Sequence, residues 1–117
     1  MGATLRTIIF YKDYFLTFYN AQKPAVKLKI NWTVGIIRDL AIVPDKYFKH
    51  MEGSEGLFEL RVKVGPDIFR IFCFFDEGNL TILANGFQKK TAKTPRQELN
   101  RATQIQREYY NEKHNNL

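Results

Sequence analysis

Leu57-Phe58-Glu59-Leu60-Arg61-Val62-Lys63-Val64 alternates without a break. Phe58, Leu60, Val62 and Val64 point one way, and Glu59, Arg61 and Lys63 point the other. Gly65-Pro66-Asp67 follows as a turn. Ile68 to Phe75 then reads as a central strand, apolar on both faces except at Arg70. Asp76-Glu77-Gly78-Asn79 is a second turn, and Leu80 to Phe87 a further strand. Three strands joined by tight turns make an antiparallel meander.

Upstream, Thr4 to Phe10 is rich in β-branched residues and predicts a first strand that must join the edge of this sheet. Tyr11 to Tyr19 is aromatic-rich and predicts a short helix. Pro24 opens a longer helix through about Leu40. That helix carries two apolar stripes, Val26, Ile30, Ile37 and Leu40 on one and Leu28, Trp32 and Ile36 on the other. A helix with two such stripes is expected to pack against two neighbours. A loop around Val43-Pro44 leads into the meander. Downstream, Pro95 to about Tyr110 predicts a last helix with Leu99, Ala102, Ile105 and Tyr109 on a narrow stripe, and the polar tail 111–117 is expected to fray. The order is β-α-α-β-β-β-α. The expected fold class is α+β, a small antiparallel sheet with helices packed on one face. The opposite face is then partly open, and Arg61 and Lys63 project onto it, with Arg70 a candidate to join them.

The 117 residues form one domain, with 44% hydrophobic and 15% aromatic content, enough to bury a core without disulfides or metal. A formal charge of +6 favours an anionic partner, with nucleic acid ahead of an acidic protein or a membrane surface. Cys73 is the lone cysteine and lies in Phe72-Cys73-Phe74-Phe75, where a small buried hydrophobe is expected rather than a nucleophile. No stretch approaches about 18 uninterrupted apolar residues, so no membrane span is expected. The sequence shows no Gly-rich phosphate loop, no His/Cys cluster for zinc and no carboxylate set for magnesium. We therefore expect no cofactor, no metal and no small-molecule substrate.

The charge is concentrated. From Gly86 to Arg107 there are six Lys/Arg residues against the single acid Glu98. Lys89, Lys90 and Lys93 follow directly on the last strand, and Thr94-Pro95-Arg96-Gln97 has the form of a capping box with Thr94 as cap and Pro95 at the first helical position. A cationic loop is thus held between two rigid elements.

Three blocks, Leu57-Phe58-Glu59-Leu60-Arg61, Phe69-Arg70-Ile71-Phe72 and Gly86-Phe87-Gln88-Lys89-Lys90-Thr91-Ala92-Lys93-Thr94-Pro95, resemble the conserved blocks of phage-related HigB-like toxins of the RelE/ParE superfamily. The resemblance extends back through the helix containing Ile30-Asn31-Trp32. It implies a RelE-like fold and a cytoplasmic toxin of a toxin–antitoxin pair. Such toxins enter the ribosome and cut mRNA, and the partner antitoxin is commonly a helix-turn-helix protein. Some superfamily relatives instead poison DNA gyrase and cut no RNA, and an inactive phage-derived module that only binds an antitoxin or nucleic acid is a further alternative.

Metal-free RNA cleavage needs a group to take the 2′-OH proton, charge to hold the phosphate, and an acid for the leaving 5′-oxygen. Arg61 and Arg70 match the family's strand arginines by resemblance and suit phosphate by their planar, permanently charged fork. Arg61 has an alternative in pairing with Glu59 on the same strand face or with an acid across the sheet. Arg70, between Phe69 and Ile71, needs an anion or hydrogen-bond partners. Lys90 is the third catalytic candidate, since neighbouring cations lower a lysine's pKa. Lys63, Phe87, Lys89, Lys93 and Arg96 are RNA-binding candidates, Phe87 either by stacking on a base or as core. Glu59 either orients an arginine or acts as base. His50 and His114, in a loop and a tail, are assigned no role, and Tyr109 and Tyr110 lie far along the last helix.

Overall fold

The computed structural model describes residues 5–115. Five strands form one mixed sheet in the order β1-β5-β4-β3-β2: β1 (Thr7–Phe10), β2 (Phe48–His50), β3 (Phe58–Val64), β4 (Asp67–Asp76) and β5 (Leu80–Lys89). The helices are α1 (Tyr14–Asn20), α2 (Pro24–Asp39) and α3 (Arg96–Asn115). The class is α+β, with the meander and the edge position of β1 as the pattern predicts. The β3–β4 turn places Gly65 at φ 58° ahead of Pro66, the glycine-first arrangement that matches the twist of a hairpin.

Several features differ from expectation. The sheet is not purely antiparallel, because β1 runs parallel to β5 over Leu80–Leu83. Strand direction leaves no mark in a hydrophobic pattern. A fifth strand, β2, pairs with Phe58–Leu60, so His50 lies in a strand rather than a loop. Three residues are too few to show alternation. Thr4 lies outside the described residues.

The helices cover both faces. Phe15, Val26, Ile30 and Ile37 of α1 and α2 pack on Leu60, Val62, Phe69, Ile71 and Cys73. Ala102 and Ile105 of α3 pack on the other face, against Phe72, Phe74, Ile82 and Ala84. A central strand apolar on both faces needs cover on both. Conversely, the second stripe of α2 is only part covered: Leu28 is 70% and Trp32 48% exposed. Leu40, beyond the end of α2, is also exposed.

The C-terminal segment stays helical to Asn115 because it is anchored. Tyr109 Oη donates to Asp76 Oδ2 at 2.5 Å, Tyr110 Oη donates to the Phe75 carbonyl at 2.7 Å, and Lys113 Nζ sits 2.8 Å from Asp76 Oδ2. At its other end α3 begins at Arg96, with the Pro95 carbonyl accepting from Leu99 N, one residue later than the capping-box pattern places it. The Thr91 hydroxyl, donating to the Lys93 carbonyl at 2.8 Å, closes the cationic loop.

One irregularity decides what the sheet presents. Between Ile71↔Gly86 and Cys73↔Leu83, β5 uses one more residue than β4. Before this bulge Ile82 and Ala84 face α3; after it Phe87 does, so Lys89 shares its side of the sheet.

Candidate nucleic-acid interface

The side of the sheet that carries α3 is only part covered. Its apolar half ends where Phe72 stacks on Phe87, ring centroids 5.8 Å apart. Beyond that boundary β3 contributes Glu59, Arg61 and Lys63, β4 contributes Arg70, and β5 contributes Lys89. Arg61 and Arg70 are direct cross-strand partners, and Phe87 lies directly opposite Arg70. Like charges in that position repel. Glu59 answers this: its Oε1 lies 3.6 Å from Nε of both Arg61 and Arg70. These are charge contacts longer than hydrogen bonds. Glu59 Oε2 and Arg70 Nε are buried and have no hydrogen-bond partner among the described residues. Arg70 Nη1 donates to the Phe69 carbonyl at 3.1 Å.

Burial differs between the two arginines. The Arg70 side chain is 8% exposed and that of Arg61 31%. Burial lowers the Arg70 pKa, Glu59 opposes this and Arg61 adds to it; the guanidinium stays charged at any ordinary pH. Burial also lowers the Lys89 pKa, and the positive charge of Arg70, then of Arg61, lowers it further. The surroundings of Lys89 therefore favour loss of its proton, the role that the sequence suggested for Lys90. Lys90 lies one residue past the end of β5 and is exposed. Lys93 and Arg96 are exposed on the loop and the first turn of α3, and no described contact ties them to the arginine pair.

A groove of about 500 Å³ opens beside the pair, lined chiefly by Lys29, Lys46, Tyr47, Arg61, Lys63 and Arg70. Its lining includes no acidic side chain. Lys29, Lys46 and Tyr47 escaped the sequence analysis. Tyr47 is held there by backbone pairing, its carbonyl accepting from Arg61 N at 2.8 Å. Only the register of β2 on β3 reveals that neighbourhood.

Neither histidine reaches the groove. The His50 ring packs edge-on against Phe58 at 5.1 Å, and His114 is exposed near the end of α3. Tyr109 is pushed up to about 12 by burial and by its bond to Asp76. Asp76 is six residues along β4 from Arg70, roughly 20 Å away at strand spacing. Among the described residues no cluster of three or more His, Cys, Asp or Glu side chains offers a metal site, and no helix is long and apolar enough to cross a membrane.

The α+β class and this strand order are those of a RelE-like fold. More specifically, the chain belongs to the phage-derived Gp49-like family (DUF891), whose model matches residues 18–107. That span includes both arginines and the cationic loop. No curated protein shows a significant match to the chain.

Proposed function

We propose that this chain is the toxin of a type II toxin–antitoxin pair, HigB-like in kind, and that it cleaves translated mRNA on the ribosome in the cytoplasm. The observation that carries the reading is the Arg61–Glu59–Arg70 cluster with Lys89 on an open face. Two arginines share one carboxylate at 3.6 Å, too far for a hydrogen bond, and so keep donors free for a phosphate.

In this reading the 2′-OH of one nucleotide attacks its own 3′-phosphate. The O2′–P bond forms and the P–O5′ bond breaks, leaving a 2′,3′-cyclic phosphate and a 5′-hydroxyl. Glu59, through Oε1, the oxygen that faces both arginines, takes the 2′-OH proton. Lys89, made more acidic by its surroundings, gives a proton to O5′. Arg61 and Arg70 hold the negative charge of the phosphorane, the larger share of the catalysis. Lys63, Lys90, Lys93 and Arg96 bind the backbone of mRNA or ribosomal RNA as point charges, and Phe87 forms the wall of the site. The antitoxin, a helix-turn-helix protein, masks this surface.

The test is induction of wild type, Arg70→Lys and Arg70→Ala in bacteria, with mapping of mRNA 5′ ends. New 5′-hydroxyl ends within translated frames in wild type, lost in Arg70→Ala, are expected. Growth arrest without new ends overturns the nuclease reading. One observation favours a second reading: the groove holds no histidine, and the α3 tyrosines are tied up at the far end of β4. A non-catalytic toxin that traps a protein such as DNA gyrase needs no proton-transfer group, and it predicts DNA breaks with intact mRNA.

A further inference from the structure

Tyr47 lines the groove and Trp32 packs against it from α2, and the arginine site uses neither ring. Trp32 lies on the less covered stripe of α2 and is half exposed. Its ring meets that of Tyr47 at 78°, centroids 5.2 Å apart. Each ring carries its own cation: Lys29 Nζ is 4.2 Å from the Trp32 centroid, and Lys46 Nζ is 5.5 Å from that of Tyr47. Lys29, Lys46 and Tyr47 line the same groove as Arg61 and Arg70. The sheet edge between the two sides is open beyond Arg61, because β2 pairs with β3 only over Phe58–Leu60, the Tyr47 carbonyl adds one bond from Arg61 N, and Val62–Val64 have no strand partner there.

We infer that Trp32 and Tyr47 form a base-stacking platform for single-stranded RNA that leaves the arginine pair and turns around the open edge of β3. The inference rests on the reading of the arginine face as an RNA site. A π-face flanked by flexible ammonium groups suits a nucleotide, the base on the ring and the phosphate on the lysine. Burying Trp32 against a protein partner would not by itself call for two lysines over the rings. The strand path also follows the charge: Arg70 and Arg61 on the sheet, Lys46 at the edge, Lys29 on α2.

Trp32 is the only tryptophan, so it reports directly. Purified protein is titrated at low salt with a fluorescein-labelled uridine 12-mer, following both anisotropy of the RNA and emission of Trp32. Binding with a Kd of about 10⁻⁴–10⁻⁶ M is expected, with quenching that saturates along the same curve. Inorganic polyphosphate, which has charge but no bases, binds without that quenching. Tyr47→Leu, which keeps the fluorophore, and Trp32→Leu weaken binding roughly tenfold to a hundredfold, and Trp32→Phe restores most of it. RNA binding with silent Trp32 emission and unchanged affinity in Tyr47→Leu overturns the platform. So does the absence of RNA binding, or quenching by polyglutamate at lower concentration than by RNA, which assigns the patch to an acidic polypeptide. The nuclease reading fails separately. Intact mRNA in cells alongside base-dependent quenching removes catalysis and leaves the platform.

Discussion

Replacing Glu59 with Gln removes one negative charge from between two arginines and changes little else in size. At 3.6 Å, each arginine–carboxylate attraction is about 4–5 kcal/mol at an effective dielectric near 20. Much of that offsets the cost of burying the charges. The Arg61 contact is partly solvated and contributes about 0–1 kcal/mol net. The Arg70 contact joins two side chains that are each under a tenth exposed, and leaving Arg70 without its counter-charge costs about 3 kcal/mol. For a chain of this length that lowers Tm by roughly 10–15 °C. The same substitution strips the carboxylate from a site built for anions. Phosphate then binds the two arginines more tightly and returns part of the lost stability by linkage. The assay is thermal unfolding of wild type and Glu59→Gln in chloride and in phosphate at equal ionic strength, with Arg61→Gln added to Glu59→Gln as control. The reasoning predicts a larger phosphate shift in Glu59→Gln than in wild type, and loss of that extra shift in the double variant. A Glu59→Gln protein melting within about 2 °C of wild type in chloride would refute it.

Other outcomes follow from the packing and the charges. A Cβ at Gly86 would lie 2.5, 2.7 and 2.8 Å from three ring atoms of Phe18, so Gly86→Ala costs about 1–3 kcal/mol in urea unfolding, and Phe18→Leu in the same chain recovers part of it. Asp76 is subject to burial, which raises its pKa, but its bonds to Lys113, Tyr109 and Glu77 N outweigh this and hold it below its ordinary value of 3.8. A depressed folded-state pKa gives stability that is present above the unfolded value and is lost as pH falls through the folded one. Asp76→Asn therefore destabilises the protein by about 2–3 kcal/mol at pH 7 and by much less in strong acid, as read by denaturant midpoints at the two pH values. Cys73 is fully buried and burial raises its thiol pKa, so a disulfide-exchange reagent titrates it only as fast as the protein unfolds. Lys89→Met lowers affinity for the uridine 12-mer more than Lys90→Met does, measured by anisotropy, because Lys89 feels the arginine pair.

What the sequence determined by itself is what local periodicity can carry. The break-free alternation of Leu57–Val64 set Glu59, Arg61 and Lys63 on one side, and the double-faced apolar run around Cys73 marked the central strand; both hold in the structure. The α+β class and the order of the long elements follow from the same signals. The tertiary structure alone decided three things, each because it depends on contacts between residues distant in the chain. It sent α3 to the face opposite α1 and α2, where Phe72 and Phe74 needed cover. It left Leu28 and Trp32 of α2 in solvent, since an apolar stripe does not say whether a neighbour exists. And it put a bulge between Leu83 and Gly86. An unbroken period of two running from Ile82 and Ala84 would have turned Lys90 toward the arginines. One extra residue shifts the parity and delivers Lys89 instead, a change of face that no residue in that stretch announces.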